Sequence, residues 1–262
     1  MNKALFFLGI SVVSLLAIST SCKQPVRSVV PSFVFKHYLN GYELEQGQMK
    51  YTNMAGNLYE VDELQYFISE ITFKTSDGRI IPIETDNAIH YIDINDSSTL
   101  DWIVLDRLPV TDYDSISFVF GISKEKNKTG LFVNPPERDM FWPEMMGGGY
   151  HYMKMNGKWM SLGDQIKPFN FHIGIGLEED KITLVQNYFI VSLPLHIHTG
   201  SLSNQFTISM DIEKWFESPN YWDWDLIGGQ IMQNQDAMHK ACENGRNAFR
   251  VSNIATDIVW HD

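Results

Sequence analysis

Apolar and polar positions alternate with a period of two along much of the chain, and this sets the reading of everything else. Ser115-Ile116-Ser117-Phe118-Val119-Phe120-Gly121 puts Ile116, Phe118 and Phe120 on one side, the signature of a strand with one buried face. Ser32 to Leu39 is rich in β-formers and stops at Asn40-Gly41, and Leu64 to Lys74 runs as a long strand into the turn Ser76-Asp77-Gly78-Arg79. Further strands are predicted over 80–83, 88–94, 150–155, 169–175, 181–185, 188–198 and 205–212. A helical period enters only late. Glu213 to Glu217 reads as a short turn, and Gln233 to Gly245 as a helix whose Met238, Ala241 and Cys242 share one stripe. Many short strands at this spacing predict a mainly β chain: a single β-sandwich-like domain with a short C-terminal helix. No internal boundary divides residues 33–262.

The first residues change the compartment. Asn2-Lys3 precedes an apolar run from Ala4 to Ile18, the length of a signal-peptide core and too short to span a membrane comfortably. Ser19-Thr20-Ser21 then leads to Cys22, so residues 1–21 read as a lipoprotein signal and Cys22 as the lipidated residue. Ser19 stands where an aliphatic residue usually precedes such a cysteine, with Ile18 one step early. Residues 22–32, with Pro25 and Pro31, read as a tether. The expectation is an outer-membrane lipoprotein facing the periplasm or the cell surface, attached to the membrane through its N-terminal lipid. With Cys22 committed, Cys242 alone remains, so an internal disulfide or a cysteine-rich metal cluster is excluded. The chain carries 32 acidic against 20 basic side chains, which argues against nucleic acid as a partner.

Candidate chemistry concentrates between Asp139 and Gly174. Six of the twelve methionines fall between Met140 and Met160, interleaved with Trp142, His151 and Trp159 and followed by His172. Thioether and imidazole together suit a soft late metal, above all Cu(I), although methionines alternating along a strand also fill a core. Met153 and Met155 are expected to share a strand face with His151. Phe169, Phe171 and Ile173 predict that His172 points to the opposite face with Asn170. His196 and His198, two apart on a strand, project together and can chelate one ion if a third donor approaches; the plainer reading is a solvent-facing pair. His37 and His151 are single strand histidines, for which a structural hydrogen bond is the simpler role. Trp222 and Trp224 offer a stacking platform for a glycan or peptide, or else a cap on the domain. None of the hydrolase or metalloprotease motifs is present, so binding rather than catalysis is expected.

The order of several segments carries a resemblance. Phe35-Lys36-His37-Tyr38-Leu39-Asn40-Gly41, Leu64 to Ile71, Asp139-Met140-Phe141-Trp142, Gly149 to Gly157 and Phe169-Asn170-Phe171-His172-Ile173-Gly174 together resemble the MbnP-like family of exported copper-binding proteins. That resemblance implies a β-rich extracytoplasmic domain that acquires, stores or handles copper. It also implies a dihaem peroxidase-like partner that oxidises a site tryptophan to kynurenine. Met140 and Trp142 match the family's Met-x-Trp element, His172 its Phe-x-His-x-Gly element, and His37 its first-strand histidine. The chain departs from the pattern at Pro143-Glu144-Met145, where relatives place another aromatic, so the modification is not carried over. The expected metal residues are His172, Trp142, Met140 and His37, with His196 and His198 as second choice. The alternative is a metal-free module binding a glycan or peptide.

Overall fold

The computed structural model describes residues 27–200 and 204–253. The predicted signal, Cys22 and the first part of the tether, through residue 26, lie outside the described residues. Ser28–Val29, within the expected tether, pairs antiparallel with Leu108–Pro109, so the domain starts earlier than the pattern indicated.

The principal strands are β1 (Ser32–Leu39), β2 (Leu58–Thr75), β3 (Ile89–Asp93), β4 (Asp101–Ile103), β5 (Asp112–Phe120), β6 (Met153–Met160), β7 (Ile166–Ile173), β8 (Phe189–His198), β9 (Gln205–Asp211) and β10 (Phe249–Ser252). They form two main sheets, with one helix of length, Gln235–Gly245, as the pattern predicted. Asn234 caps that helix by accepting from the Ala237 N–H at 3.0 Å, and Met238, Ala241 and Cys242 are buried along its inner stripe. Burial pushes the Cys242 thiol up to about 12, and its Sγ donates to the Asn187 carbonyl, so it is a core residue.

The larger sheet is organised by β2, whose 18 residues are long enough to serve two sets of partners. Its first half pairs with β6, and β6 with β7. Its second half pairs with β5, and β5 with β8. Phe67 marks the changeover: its N–H donates to the Tyr152 carbonyl at 3.1 Å, while its own carbonyl accepts from the Gly121 N–H at 2.8 Å. The smaller sheet runs β10-β9-β1, with β4 added to β1; β9 and β1 are parallel.

Alternation decides which side chains face inward. On β1, Phe33 and Phe35 point into the space between the sheets, where Phe33 meets Phe73 of β2 and Phe206 of β9. On β6 and β7, Met153, Met155, Phe169, Phe171 and Ile173 are buried, while Lys154, Asn156, Asn170 and His172 take the other face and are only half-buried. Met153 and Met155 are therefore core filling on the side of the sheet away from His172. Strand prediction failed in one place that matters. Residues 150–152 lie outside β6, and the strand starts at Met153. His151 is thereby freed from the Met153 face on which alternation had put it.

Candidate metal centre

The outer face of β6 and β7 is roofed by a looped-back segment. Phe141 and Tyr150 form an isolated antiparallel bridge, the Trp142 N–H donates to the Gly149 carbonyl at 2.7 Å, and the His151 N–H donates to the Met140 carbonyl at 2.7 Å. Three consecutive glycines close the loop in the left-handed region, with φ of 110°, 66° and 78° at Gly147, Gly148 and Gly149, a run that residues with a Cβ would resist. Asn127 anchors the return by accepting from the Tyr150 N–H at 2.8 Å.

This closure brings three side chains together. The His151 and His172 rings meet edge to face with centroids 5.2 Å apart at 84°, and the Trp142 indole meets His151 at 4.6 Å and 82°. Trp142 is buried and donates its indole N–H to the Met146 carbonyl at 3.2 Å. Its ring packs on the backbone at Gly174, where a Cβ would lie 2.5 Å from the indole Cε3. The residue two positions after His172 therefore has to be small for the indole to reach His151.

Each imidazole is held by an acceptor. His151 Nδ1 lies 3.0 Å from the Met140 carbonyl, with the Phe141 backbone a weaker neighbour. His172 Nε2 lies 2.8 Å from Asn156 Oδ1, and Asn156 Nδ2 donates to Glu63 Oε2 at 2.7 Å. Lys154 is the direct cross-strand partner of His172 and ties β6 to the roof by donating to the Asp139 carbonyl at 2.7 Å. Burial, reinforced by the Lys154 ammonium, lowers His151 to about 3 and His172 to about 4. Both imidazoles are neutral at ordinary pH, the form that binds metals.

The expected site residues divide accordingly. His172 and Trp142 converge. Met140 takes part through its carbonyl, with its side chain in the buried core. His37 does not join them. It points inward from β1, where its Nε2 meets the Tyr66 hydroxyl at 3.0 Å and burial lowers it to about 3. Tyr66 is the register partner of Met153, so it occupies the face of the sheet opposite His172. His196 and His198 share a face as predicted but are exposed on β8, which joins the other half of β2 through β5; His198 Nδ1 pairs with Asp112 Oδ1 at 2.8 Å. His151, read from the sequence as structural, is the second imidazole of the cluster. The signal that could have found it is Gly147-Gly148-Gly149, which marks residues 149–151 as the end of a loop instead of a strand. Among the described residues no group of three or more His, Cys, Asp or Glu side chains is placed to hold a metal ion. Trp222 and Trp224 are buried against Phe171, Phe216 and Phe169, so the stacking platform is replaced by the cap on the domain.

Comparison with known proteins agrees with the fold. A search of curated proteins returned no match. Among solved structures, MbnP from Methylosinus trichosporium superposes with a TM-score of 0.54 at 13% identity, over 75% of this chain and 80% of that one. The MbnP family model matches residues 28–238, nearly the whole described domain, and the chain belongs to the MbnP family.

Proposed function

We propose that this protein is an exported, lipid-anchored copper-binding protein that acquires, stores or hands on monovalent copper, and that His151 and His172 hold the ion beside Trp142. The observation that carries the reading is the pair of imidazoles in edge-to-face contact beneath a buried indole. Two neutral nitrogen donors suit an ion that accepts low coordination numbers, whereas structural zinc takes four ligands. Bound there, the copper would be a soft cargo ion, exchangeable with other nitrogen and sulfur ligands. The protein's own groups do the rest. The roof segment buries His151 and half-buries His172, Gly174 seats the indole, and burial keeps both imidazoles unprotonated. The role is binding, with any redox chemistry supplied by a partner such as the dihaem peroxidase-like enzyme that the family resemblance implies. Attachment through Cys22 would place the domain at the outer membrane, facing the periplasm or the surface.

The test is metal retention. Mature protein loaded with Cu(I) under reducing conditions and desalted should keep close to one equivalent, and His172→Ala and His151→Ala should each bring it near background. A wild-type protein that retains none ends the copper reading. Intact mass decides the state of Trp142, because conversion to kynurenine adds one oxygen and removes one carbon; we expect the unmodified mass.

A further inference from the structure

The two imidazoles of the candidate centre are not held in the same way, and the difference reaches beyond which residues bind to which atoms do. A backbone carbonyl can only accept a hydrogen bond. The 3.0 Å contact between His151 Nδ1 and the Met140 carbonyl therefore puts the proton of the neutral ring on Nδ1 and leaves the lone pair on Nε2. For His172 the partner is an amide, which could present either end, and a carboxylate settles it. Glu63 Oε2 lies 2.7 Å from Asn156 Nδ2, and a carboxylate only accepts, so the Asn156 amide nitrogen faces Glu63 and its oxygen faces His172 Nε2 at 2.8 Å. His172 must then carry its proton on Nε2 and its lone pair on Nδ1. The strand register makes this chain of contacts rigid. Asn156 is the direct partner of Glu63 on β2 and of Asn170 on β7, one diagonal step from His172.

We infer that Asn156 and Glu63 are positioning residues that select the tautomer of His172, so that the centre offers one Nε2 donor from His151 and one Nδ1 donor from His172. This rests on the copper reading for its purpose, though the tautomers exist without any metal. The mixed pair has a geometric consequence. Nδ1 is the nitrogen nearer the backbone, so His172 would offer its donor close to β7, while His151 would offer Nε2 from the far end of its ring. A fixed tautomer also means that no proton has to move on the ring before the ion binds, the usual service of groups behind metal-binding histidines.

The experiment uses the full mature protein with nitrogen-15 histidine, read by long-range proton–nitrogen correlation near neutral pH and without metal. The expected result is two opposite patterns in one molecule, with His151 protonated on Nδ1 and His172 on Nε2. His172 protonated on Nδ1, or the two rings sharing one tautomer, overturns the inference whether or not copper binds. In the same protein, Asn156→Leu should weaken Cu(I) affinity, measured by competition with a Cu(I) chelator, by about 10–100-fold, with His151 keeping its pattern. The double variant Asn156→Asp with Glu63→Gln exchanges carboxylate and amide while preserving an acceptor toward His172, and should recover most of the loss. Unchanged affinity in Asn156→Leu, or no recovery in the exchange, also counts against it. A wild-type protein showing both tautomers but no Cu(I) binding retires the copper reading alone.

Discussion

His37 and His172 lie on opposite sides of the larger sheet, His37 packed against it from β1 of the smaller one, and each is a histidine that burial keeps neutral at ordinary pH. His37 is lowered to about 3 and His172 to about 4. By ionisation alone the two could not be told apart. Their neighbourhoods differ. His37 reaches one hydroxyl, that of Tyr66, within an aromatic core, and desolvation is the whole cause of its shift. His172 meets a second imidazole, lies across from a lysine, and has an amide fixed behind it. A perturbed histidine is thus a weak sign of function, while a second donor brought by a separate segment is a strong one.

The comparison breaks most sharply by mutation. His172→Ala and His151→Ala should each cost Cu(I) affinity more than the roughly 10–100-fold that an outer-shell change costs, with little loss of fold. His37→Phe should leave the bound copper unchanged. It should instead lower stability by roughly 1–3 kcal/mol in urea unfolding, because the Tyr66 hydroxyl loses its partner inside the core. Copper loss in His37→Phe, equal to that in His172→Ala, would erase the distinction between the two histidines.

Acid sharpens the same contrast. These histidines are depressed in the folded protein, so their contribution is complete above the unfolded value of about 6.5 and is lost as pH falls through 4 and then 3. Each fully buried one adds a slope of up to roughly 1.4 kcal/mol per pH unit in that window, and the half-buried His172 adds less. Asp211 and Glu213 act in the opposite sense, since burial raises them to about 6 and about 7, so the total profile is shallower than the histidines alone would give. The difference between wild type and His37→Phe isolates one histidine. It should fall steadily between pH 6.5 and pH 4 in urea unfolding, to zero or past it at the full slope, and a constant difference would show that His37 is not buried as a neutral ring.

A more local effect is expected at Gly174. Its Cβ would strike the Trp142 ring, so Gly174→Ala should cost roughly 1–3 kcal/mol through overpacking and push the indole off His151. Thermal unfolding reads the first effect, and the change in tryptophan emission, compared with the same change in a Trp142→Phe background, reads the second. An unshifted emission with unchanged stability would mean that the indole is not seated on this glycine.

How much of this was legible in the chain follows from the range of each signal. Period-two alternation is local, so strands such as Ser32–Leu39 were read to the residue, and Phe169, Phe171 and Ile173 correctly sent His172 outward. The same rule misplaced His151, because it assumed the strand began at Tyr150 when β6 begins at Met153. His37 was misjudged because its partner Tyr66 lies 29 residues away on another sheet, a distance no local pattern reports. Trp222 and Trp224 look like one strand face. Asp223 instead accepts from the Asp225 N–H and starts a helical turn at Trp224, and both indoles end up inside. The convergence of Trp142, His151 and His172 depends on a loop folding over a sheet, which is a tertiary event.

The smallest effect belongs to the pair that spacing alone favoured most. His196 and His198 have the separation that lets two strand side chains chelate one ion, and both are exposed, with His198 in a surface pair with Asp112 whose members are 52% and 68% accessible. Spacing supplies two donors that point the same way, but an ion also needs dehydrated, pre-oriented nitrogens, and water competes freely at this edge. Replacing both by alanine should move stability by less than about 0.5 kcal/mol and leave Cu(I) retention intact. Loss of copper in that double variant, with His151 and His172 untouched, would move the centre from the roofed face of β6 and β7 to β8.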